Sequence, residues 1–568
     1  MNALTYRPFL EPFEDRLLPS TYAVINTADT GQGSLRQALL DANANSGPNT
    51  IIFDIRGEGG HTIQPGSPLP TITRAVTIDG TYQPGYNGSP LIEIDGEFAG
   101  TGVNGLTIDT PSGATIVKGL DINRFRGGGF SGGGIRVQNG TTSTSVAIQG
   151  DYLGTDITGT AGLGNSIGVE VFGYNGAITI GGPTADAVNV ISGNEQYGVQ
   201  LWQARTSVIQ NNLIGTDVTG TQALGNGIGL YNGFGVYVTY SSPQILDNII
   251  SGNSQYGIVI GDATATIQRN WIGIDVTGTQ ALPNGRGIEI SADGVATVRS
   301  NVISGNLGDG VAINGDENTV QGNYIGTDIT GAHPLANGGN GITLSTYYYP
   351  SGHNTIGGTV ANAGNVISGN SGAGISITTS SGNRVQGNLI GTDITGTQPI
   401  GNGGNGIIIV ASNFAHSGDN TIGGTAANAG NVIAFNGHDG IMVNGSYQNS
   451  IRANSIFANG NLGIELVNAG NNNQPAPVIT SAVYDGSAIT IQGTVTGAPN
   501  TTVTMDLFAS DAAGDGQHYL GSVSVVIGAD GTASFGVTFS AFLSPGQFIT
   551  ATSTGSLATS GFSNDIQI

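Results

Sequence analysis

The sequence predicts an all-β chain: a parallel β-solenoid with a helical cap at its N-terminal end and a β-sandwich behind it. Three observations carry this. A six-residue pattern that opens and closes on Asn or Asp recurs eleven times between Asp151 and Asn459. Its spacings, 38, 23, 36, 22, 31, 22, 42, 23, 43 and 23 residues, alternate long and short. The composition, with 97 Gly and only 9% charged residues, abounds in Ile, Val, Thr, Asn and Gly, a strand-and-turn vocabulary.

A period of 22 to 23 residues made of short strands, Gly and Asn reads as one solenoid coil. Position three of the pattern is Leu153 and then Ile in the ten later copies. One coil apart, these side chains stack about 4.8 Å from each other and form an internal ladder. The opening residues (Asp151, Asn189, Asn212 and their successors to Asn454) and the closing ones (Asp156, Asn194, Asp217 and onward to Asn459) are expected to bond corner backbone groups and each other. Position two points the other way and is also largely apolar, as in Tyr152, Leu213, Trp271, Tyr324 and Leu389. An outer apolar stripe needs a cover. Each long coil supplies an insert for it, beginning at Asp156, Asp217, Asp275, Asp328 and Asp393 and ending nine residues later in Asn165, Asn226, Asn284, Asn337 and Asn402. The aliphatics at the eighth place (Leu163, Leu224, Leu282, Leu335, Ile400) are expected to plug onto the stripe, with each Asp capping a Thr-Gly turn.

Repeats such as Asn388-Leu-Ile-Gly-Thr-Asp-Ile-Thr-Gly-Thr397 and Asn189-Val-Ile-Ser-Gly-Asn194 resemble those of bacterial right-handed parallel β-helix repeat proteins of the secreted or surface type. The stretch from Tyr22 to Asn43, with Ser34-Leu-Arg-Gln-Ala38, is similar to the segment that often opens such helices. Phe13-Glu-Asp-Arg-Leu-Leu-Pro-Ser20 resembles a short N-terminal motif of exported planctomycete proteins. The resemblance implies a right-handed parallel β-helix and says little about activity.

Residues 1–20 read as a leader or motif without a clear export signal. Residues 21–50 read as the N-terminal cap: Ser34 can N-cap a helix with Leu35, Ala38, Leu39 and Ala42 on one face. A cap is needed because an open sheet edge invites association. Residues 51–472 are assigned to the β-helix. At Asn471-Asn-Asn-Gln-Pro-Ala-Pro477 the ladder stops, and residues 473–568 carry about seven alternating strands, the pattern of an immunoglobulin-like sandwich.

A net charge of −23 with a single Lys, Lys118, excludes nucleic acid as a natural partner. No apolar run approaches the roughly 20 residues of a membrane-spanning helix. The absence of Cys removes thiolate chemistry. Two roles remain: a non-catalytic extracellular or cell-surface scaffold that binds glycans or adheres, or a polysaccharide lyase or glycoside hydrolase. Aromatics gather in a second set of inserts, giving Tyr174, Tyr231, Phe234, Tyr237, Tyr347, Tyr348, Tyr349 and Phe414 as candidate ligand-binding residues. Aromatic rings suit the C–H faces of sugars, and equally suit packing on one another. His438 and Asp439 form the best local acid–base candidate, in a variable turn where Asp-Gly also has an ordinary turn role. No cofactor is required; Asp217, Asp275, Asp328 and Asp393 are the candidate ligands should Ca²⁺ bind. The expected partner is a polysaccharide or cell-surface glycan.

Overall fold

The computed structural model describes residues 20–127, 131–227, 233–345, 352–411 and 417–568. From Ser20 to Val467 the chain is a parallel β-helix whose three faces are sheets of 15, 14 and 13 strands. One coil shows the plan: Tyr197–Trp202 lies in the 13-stranded sheet, Thr206–Gln210 in the 15-stranded sheet, and Leu213–Ile214 in the 14-stranded sheet. Strands of the 14-stranded sheet shrink to two residues along the repeats because Asn corners close on both sides. Their inner member stacks directly on its counterpart, Leu153 on Ile191 and Ile191 on Ile214, and each is fully buried.

The corner ladders form as expected at the opening position. From Asn189 to Asn454 each amide donates to the Oδ1 of the next, as in Asn212 to Asn248 at 2.9 Å and Asn301 to Asn323 at 2.9 Å. The closing column differs in one respect. Asp156, Asp217, Asp275, Asp328 and Asp393 leave it, and the Asn that ends each insert takes the rung. Asn194 donates to Asn226 at 2.9 Å, Asn226 to Asn253 at 2.8 Å, and Asn253 to Asn284 at 2.9 Å. An anionic Asp has no N–H to pass along such a chain, whereas a carboxamide both donates and accepts. A third column, Asn354–Asn383–Asn420–Asn449–Asn471, runs along the remaining corner of the C-terminal half.

Each displaced Asp instead organises its insert as a small hairpin. Asp217 accepts from the Thr219 hydroxyl at 2.8 Å and from the amides of Thr221 and Gln222 at 3.1 and 3.0 Å. The hairpins hydrogen-bond to one another over the intervening bare coil, Val218 N to Gly159 O at 2.9 Å and Val276 N to Gly220 O at 3.0 Å. The cover over the outer stripe is therefore built differently from the expectation. A Cβ at Gly159 would lie 3.0 Å from the Tyr152 ring, and one at Gly396 would lie 3.3 Å from Leu389, so the turn glycines sit on the stripe. The eighth-place aliphatics seat over the bare coils: the carbonyls of Leu224, Leu282 and Ile400 accept from Gly193, Gly252 and Gly369. Leu282 and Ile400 are buried, while Leu163, Leu224 and Leu335 are half-buried.

Both ends are closed. The helix Leu35–Ala44 is capped by Ser34, whose hydroxyl accepts from Gln37 N at 3.2 Å, and buries Leu35, Ala38, Leu39 and Ala42. At the other end, a three-stranded and a five-stranded antiparallel sheet make the sandwich. It docks on the last coil through an Ile456–Gly516 backbone bridge and a hydrogen bond from Ile451 N to Thr559 Oγ1 at 2.9 Å. Arg452 clamps the fully buried Asp506 with bonds of 2.6 and 2.9 Å. Among the described residues, no helix is long and apolar enough to cross a membrane.

Candidate functional site

The outer surface of the 13-stranded sheet between residues 133 and 290 is where the chain departs from its repeat. Because the sheet is in strict register, side chains at one offset form rows along the helix. The first row is Ile167, Tyr197, Phe234, Tyr256 and Arg286, and the second is Arg136, Glu170, Gln200, Tyr237, Val259 and Glu289. A third row holds Gln138, Phe172, Trp202 and Thr239. The sheet thus carries aromatic rings beside charged and amide groups.

The rings form two groups. Tyr197 stacks on Tyr237 at 5.3 Å and meets Phe234 at 5.3 Å, and Phe234 meets Tyr256 edge-on at 5.1 Å. Arg286 lies 5.9 Å over the Tyr256 ring while pairing with Glu289 and Asp309. Nearer the corner with the 15-stranded sheet, Phe172 stacks on Trp202 at 6.3 Å, and Trp202 meets Tyr240 at 5.7 Å. This second group is open to solvent, with Phe172 42% and Tyr240 53% exposed. Beside it is a cleft of about 440 Å³ lined by Gly173, Asn175, Gln203, Arg205 and Tyr240. The guanidinium of Arg205 has no carboxylate within ion-pair distance among the described residues.

Backbone strain marks the same place. Gln203 and Tyr240 hold left-handed φ angles of 53° and 49°, a region that costs a side-chain-bearing residue about 1 kcal/mol or more. Polar chemistry beneath the rings is tightly held. Arg136 Nη1 bonds both oxygens of the buried Glu170 at 2.8 and 3.0 Å. Burial pushes the Glu170 carboxyl up from its ordinary range, with the Arg136 charge opposing. The Tyr240 hydroxyl is raised by its bond to Asp262 and by that carboxylate's charge.

The residues singled out in the sequence are placed unevenly. Phe234 and Tyr237 belong to the first ring group; Phe234 is buried and Tyr237 half-buried. Tyr174 is a core residue, wholly buried, and offers no face to a ligand. Its ring fills space left by two glycines: a Cβ at Gly140 would overlap it at 1.9 Å, and one at Gly176 would approach its hydroxyl at 2.7 Å. Tyr231, Tyr347, Tyr348, Tyr349 and Phe414 lie outside the described residues. His438 is exposed, whereas Asp439 is buried and spent on a corner, donating its N–H to Asn405 and accepting from Leu462 N at 3.1 Å. The carboxylates of Asp217, Asp275, Asp328 and Asp393 are occupied by donors of their own turns. Among the described residues no three His, Cys, Asp or Glu converge as a metal ion would require. Trp202, Tyr197, Tyr256 and Arg205 belong to regular coils rather than inserts, so the insert pattern does not mark them. The recurring doublets Tyr197-Gly198, Phe234-Gly235 and Tyr256-Gly257 were the available signal.

Fold and surface together define a parallel β-helix repeat protein that carries an aromatic and polar face on one sheet. Residues 230–361 match the family described as periplasmic copper-binding protein (NosD). A 176-residue stretch, 26% of this chain, is 31% identical to the 3-dehydroshikimate dehydratase of Acinetobacter baylyi (strain ATCC 33305 / BD413 / ADP1) and spans 36% of that relative's length. The chain is similar to the periplasmic alginate epimerase AlgG at 13% identity, covering 74% of this chain and 76% of that one with a TM-score of 0.34. It is similar to the mannuronan C-5 epimerase AlgE4 A-module of Azotobacter vinelandii at 14% identity, with 78% and 97% covered and a TM-score of 0.29. It is also similar to the Streptococcus pneumoniae surface protein and adhesin PfbA at 12% identity, with 79% and 97% covered and a TM-score of 0.29.

Proposed function

We propose that the protein binds a polysaccharide along the corner formed by Phe172, Trp202 and Tyr240, and that the preferred chain is acidic. The observation that carries this is the exposed ring row beside a cleft holding an unpaired Arg205. Ring faces receive the C–H faces of sugars, Asn175 and Gln203 meet hydroxyls, and a planar guanidinium holds a uronate carboxylate by two parallel bonds. The chain's charge of −23 repels polyanions at long range, so short-range pairing at Arg205 must decide the preference, and binding should be salt-sensitive. An extracellular or envelope location fits this role, in line with the periplasmic description of the family matched at residues 230–361.

The test is affinity electrophoresis and calorimetry with polygalacturonate and alginate. Trp202→Ala and Arg205→Ala should each weaken binding roughly tenfold or more, and full affinity in both variants would end this reading.

A further inference from the structure

The corner between the 15- and 14-stranded sheets carries a groove of about 530 Å³ that lies on the far side of the 15-stranded sheet from the ring row. Its floor is the outer stripe at Leu213, Ile249 and Trp271, all half-buried rather than sealed. Val188 stands at one end and Val276, from a hairpin, borders the side. Two related inserts, 182–188 and 358–364, occupy this corner before and after the groove. The first presses the Asp186 carbonyl on Gly150, and the second accepts the Gly322 amide on Ala363 at 3.0 Å. Coils between them have bare corners, and the groove runs along three of these, from Val188 to Trp271.

Its rim is chemically specific. The residue before the ladder Asn is left-handed in coil after coil, and Gly fills that place at Gly150, Gly322 and Gly387. Along the trough the same place holds Asn211, Asp247 and Arg269, with φ of 58°, 57° and 55°. Ser300 and Ala453 hold the same place in other coils, with φ of 55° and 50°; the three along the trough differ in carrying amide, carboxylate and guanidinium groups. Arg269 grips Asp247 with bonds of 2.6 and 2.8 Å, so the pair presents donors and acceptors with no net charge.

We infer that this trough is a second glycan site, separate from the ring row and selective for neutral sugars. A pyranose laid on the indole of Trp271 and the aliphatic floor would bury its C–H face. Its hydroxyls would meet the Asp247 carboxylate, the free edge of Arg269 and the Asn211 amide. Because Arg269 is already neutralised, nothing in the trough compensates a uronate, and the strongly acidic chain repels one. The strand Thr206–Gln210, which separates Arg205 from Asn211, spans about 17 Å by itself. The two sites therefore open at different corners and hold separate sugars. The inference shares with the proposed function only the class of ligand.

The experiment is calorimetric titration of the full chain with xylan, laminarin and dextran as neutral probes and polygalacturonate as the acidic probe. The variants are Trp271→Ala, Asp247→Asn and Trp202→Ala. The expected result is a crossed loss. Trp271→Ala and Asp247→Asn weaken binding of a neutral glycan roughly tenfold or more; Trp271→Ala leaves polygalacturonate unchanged, Asp247→Asn leaves it unchanged or strengthens it because Arg269 loses its counter-charge, and Trp202→Ala weakens polygalacturonate alone. Asp247→Asn keeps the side-chain volume, so it reports on the site if Trp271→Ala fails to fold. Absence of neutral-glycan binding in the unsubstituted chain, or neutral binding unaffected by both trough variants, overturns the inference while polygalacturonate binding still supports the first site. Neutral binding that depends on Asp247 with no acidic binding at all upholds the trough and refutes the ring-row reading.

Discussion

Replacing Asp151 by Asn should stabilise the protein, and by an amount that grows with pH. Asp151 opens the first ladder and is wholly buried. Its Oδ1 accepts from Leu120 N at 2.8 Å, and its own N–H donates to Asn189 Oδ1 at 2.9 Å, but its Oδ2 has no partner. In the rungs that follow, that position is an amide nitrogen donating to the next Oδ1 and to a main-chain carbonyl. A carboxylate there faces acceptors and must carry a proton to fit. Burial is the main cause that pushes its pKa up to about 8, against bonds from Leu120 and Gln149 that oppose the rise. The unfolded chain releases this proton near 3.8 while the folded chain keeps it to about 8. The penalty is therefore absent below pH 3.8, grows by about 1.36 kcal/mol per pH unit above it, and levels off beyond pH 8. At pH 7 the folded chain holds a proton 3.2 units above its release in the unfolded chain, a cost of about 4 kcal/mol. For a chain of 568 residues melting as one unit this is a shift of roughly 3 to 4 °C. Thermal unfolding of wild type and Asp151→Asn at one scan rate from pH 4 to 9 reads it directly. A gap in melting temperature that does not widen between pH 4 and 8 would refute the protonated-rung argument.

Three further outcomes follow from the same geometry. Asn301→Ala removes an amide that serves Ile267 O, Asn323 Oδ1 and Asn270 N, leaving buried groups unpaired, and should cost about 2 to 4 kcal/mol of unfolding free energy, read as a lowered denaturant midpoint at unchanged slope. Asp393→Ala should lower hydrogen-exchange protection of the Thr397 and Gln398 amides about tenfold while the global melting temperature holds, since it removes the cap of one hairpin. Burial raises the Asp393 carboxyl, but the Gln398 amide, the Thr395 hydroxyl and the Thr397 amide outweigh it and hold it below the usual range, so the cap persists above pH 4 and fails as acid titrates it below 3.8. Arg452→Ala strands the buried Asp506 beside Ser522 alone, costing about 3 kcal/mol, and should expose residues 470–478 to proteolytic nicking as the sandwich loosens.

Legibility of the sequence tracked repetition. The Ile column, the opening Asn column, the capping helix and the sandwich recur or carry local cap and turn chemistry, so one chain sufficed to place them. The third Asn column is harder to read because its members, Asn354, Asn383, Asn420, Asn449 and Asn471, are unevenly spaced and share only a short Asn-x-Ile/Val signal that Asn471 lacks. The exchange of Asp217 for Asn226 in the closing column needed a donor argument that the six-residue pattern alone conceals. The burial of Tyr174 is illegible for a different reason. Its burial depends on the absence of side chains at Gly140 and Gly176, one of them a coil away, which is a tertiary fact with no local signature. The ring row is half legible, since its members sit on strands of ordinary coils rather than in the inserts.

The ladders also explain where a ligand site can arise. At a corner run by stacked Asn, every side chain is committed to its neighbours in the next coil, and substitution breaks two rungs. The third corner acquires its Asn column only in the C-terminal half; upstream it is closed by Tyr174 and by Ser241, whose hydroxyl accepts from Ala204 N at 2.9 Å. That closure leaves Gln203, Arg205 and Tyr240 uncommitted to a ladder, and the cleft opens there. At the first corner the ladder persists; variation there comes from the inserts and from the left-handed residue before each Asn, where Asp247 and Arg269 stand in place of the glycine, serine or alanine of other coils. In both places the scaffold holds the variable groups on fixed coils, so a ligand meets side chains already ordered. Binding then avoids the roughly 0.5 to 1.5 kcal/mol that immobilising each mobile side chain would cost. A rigid solenoid with an interrupted ladder is thus a physical reason for a binding face to occur at these corners rather than along the regular coils between them.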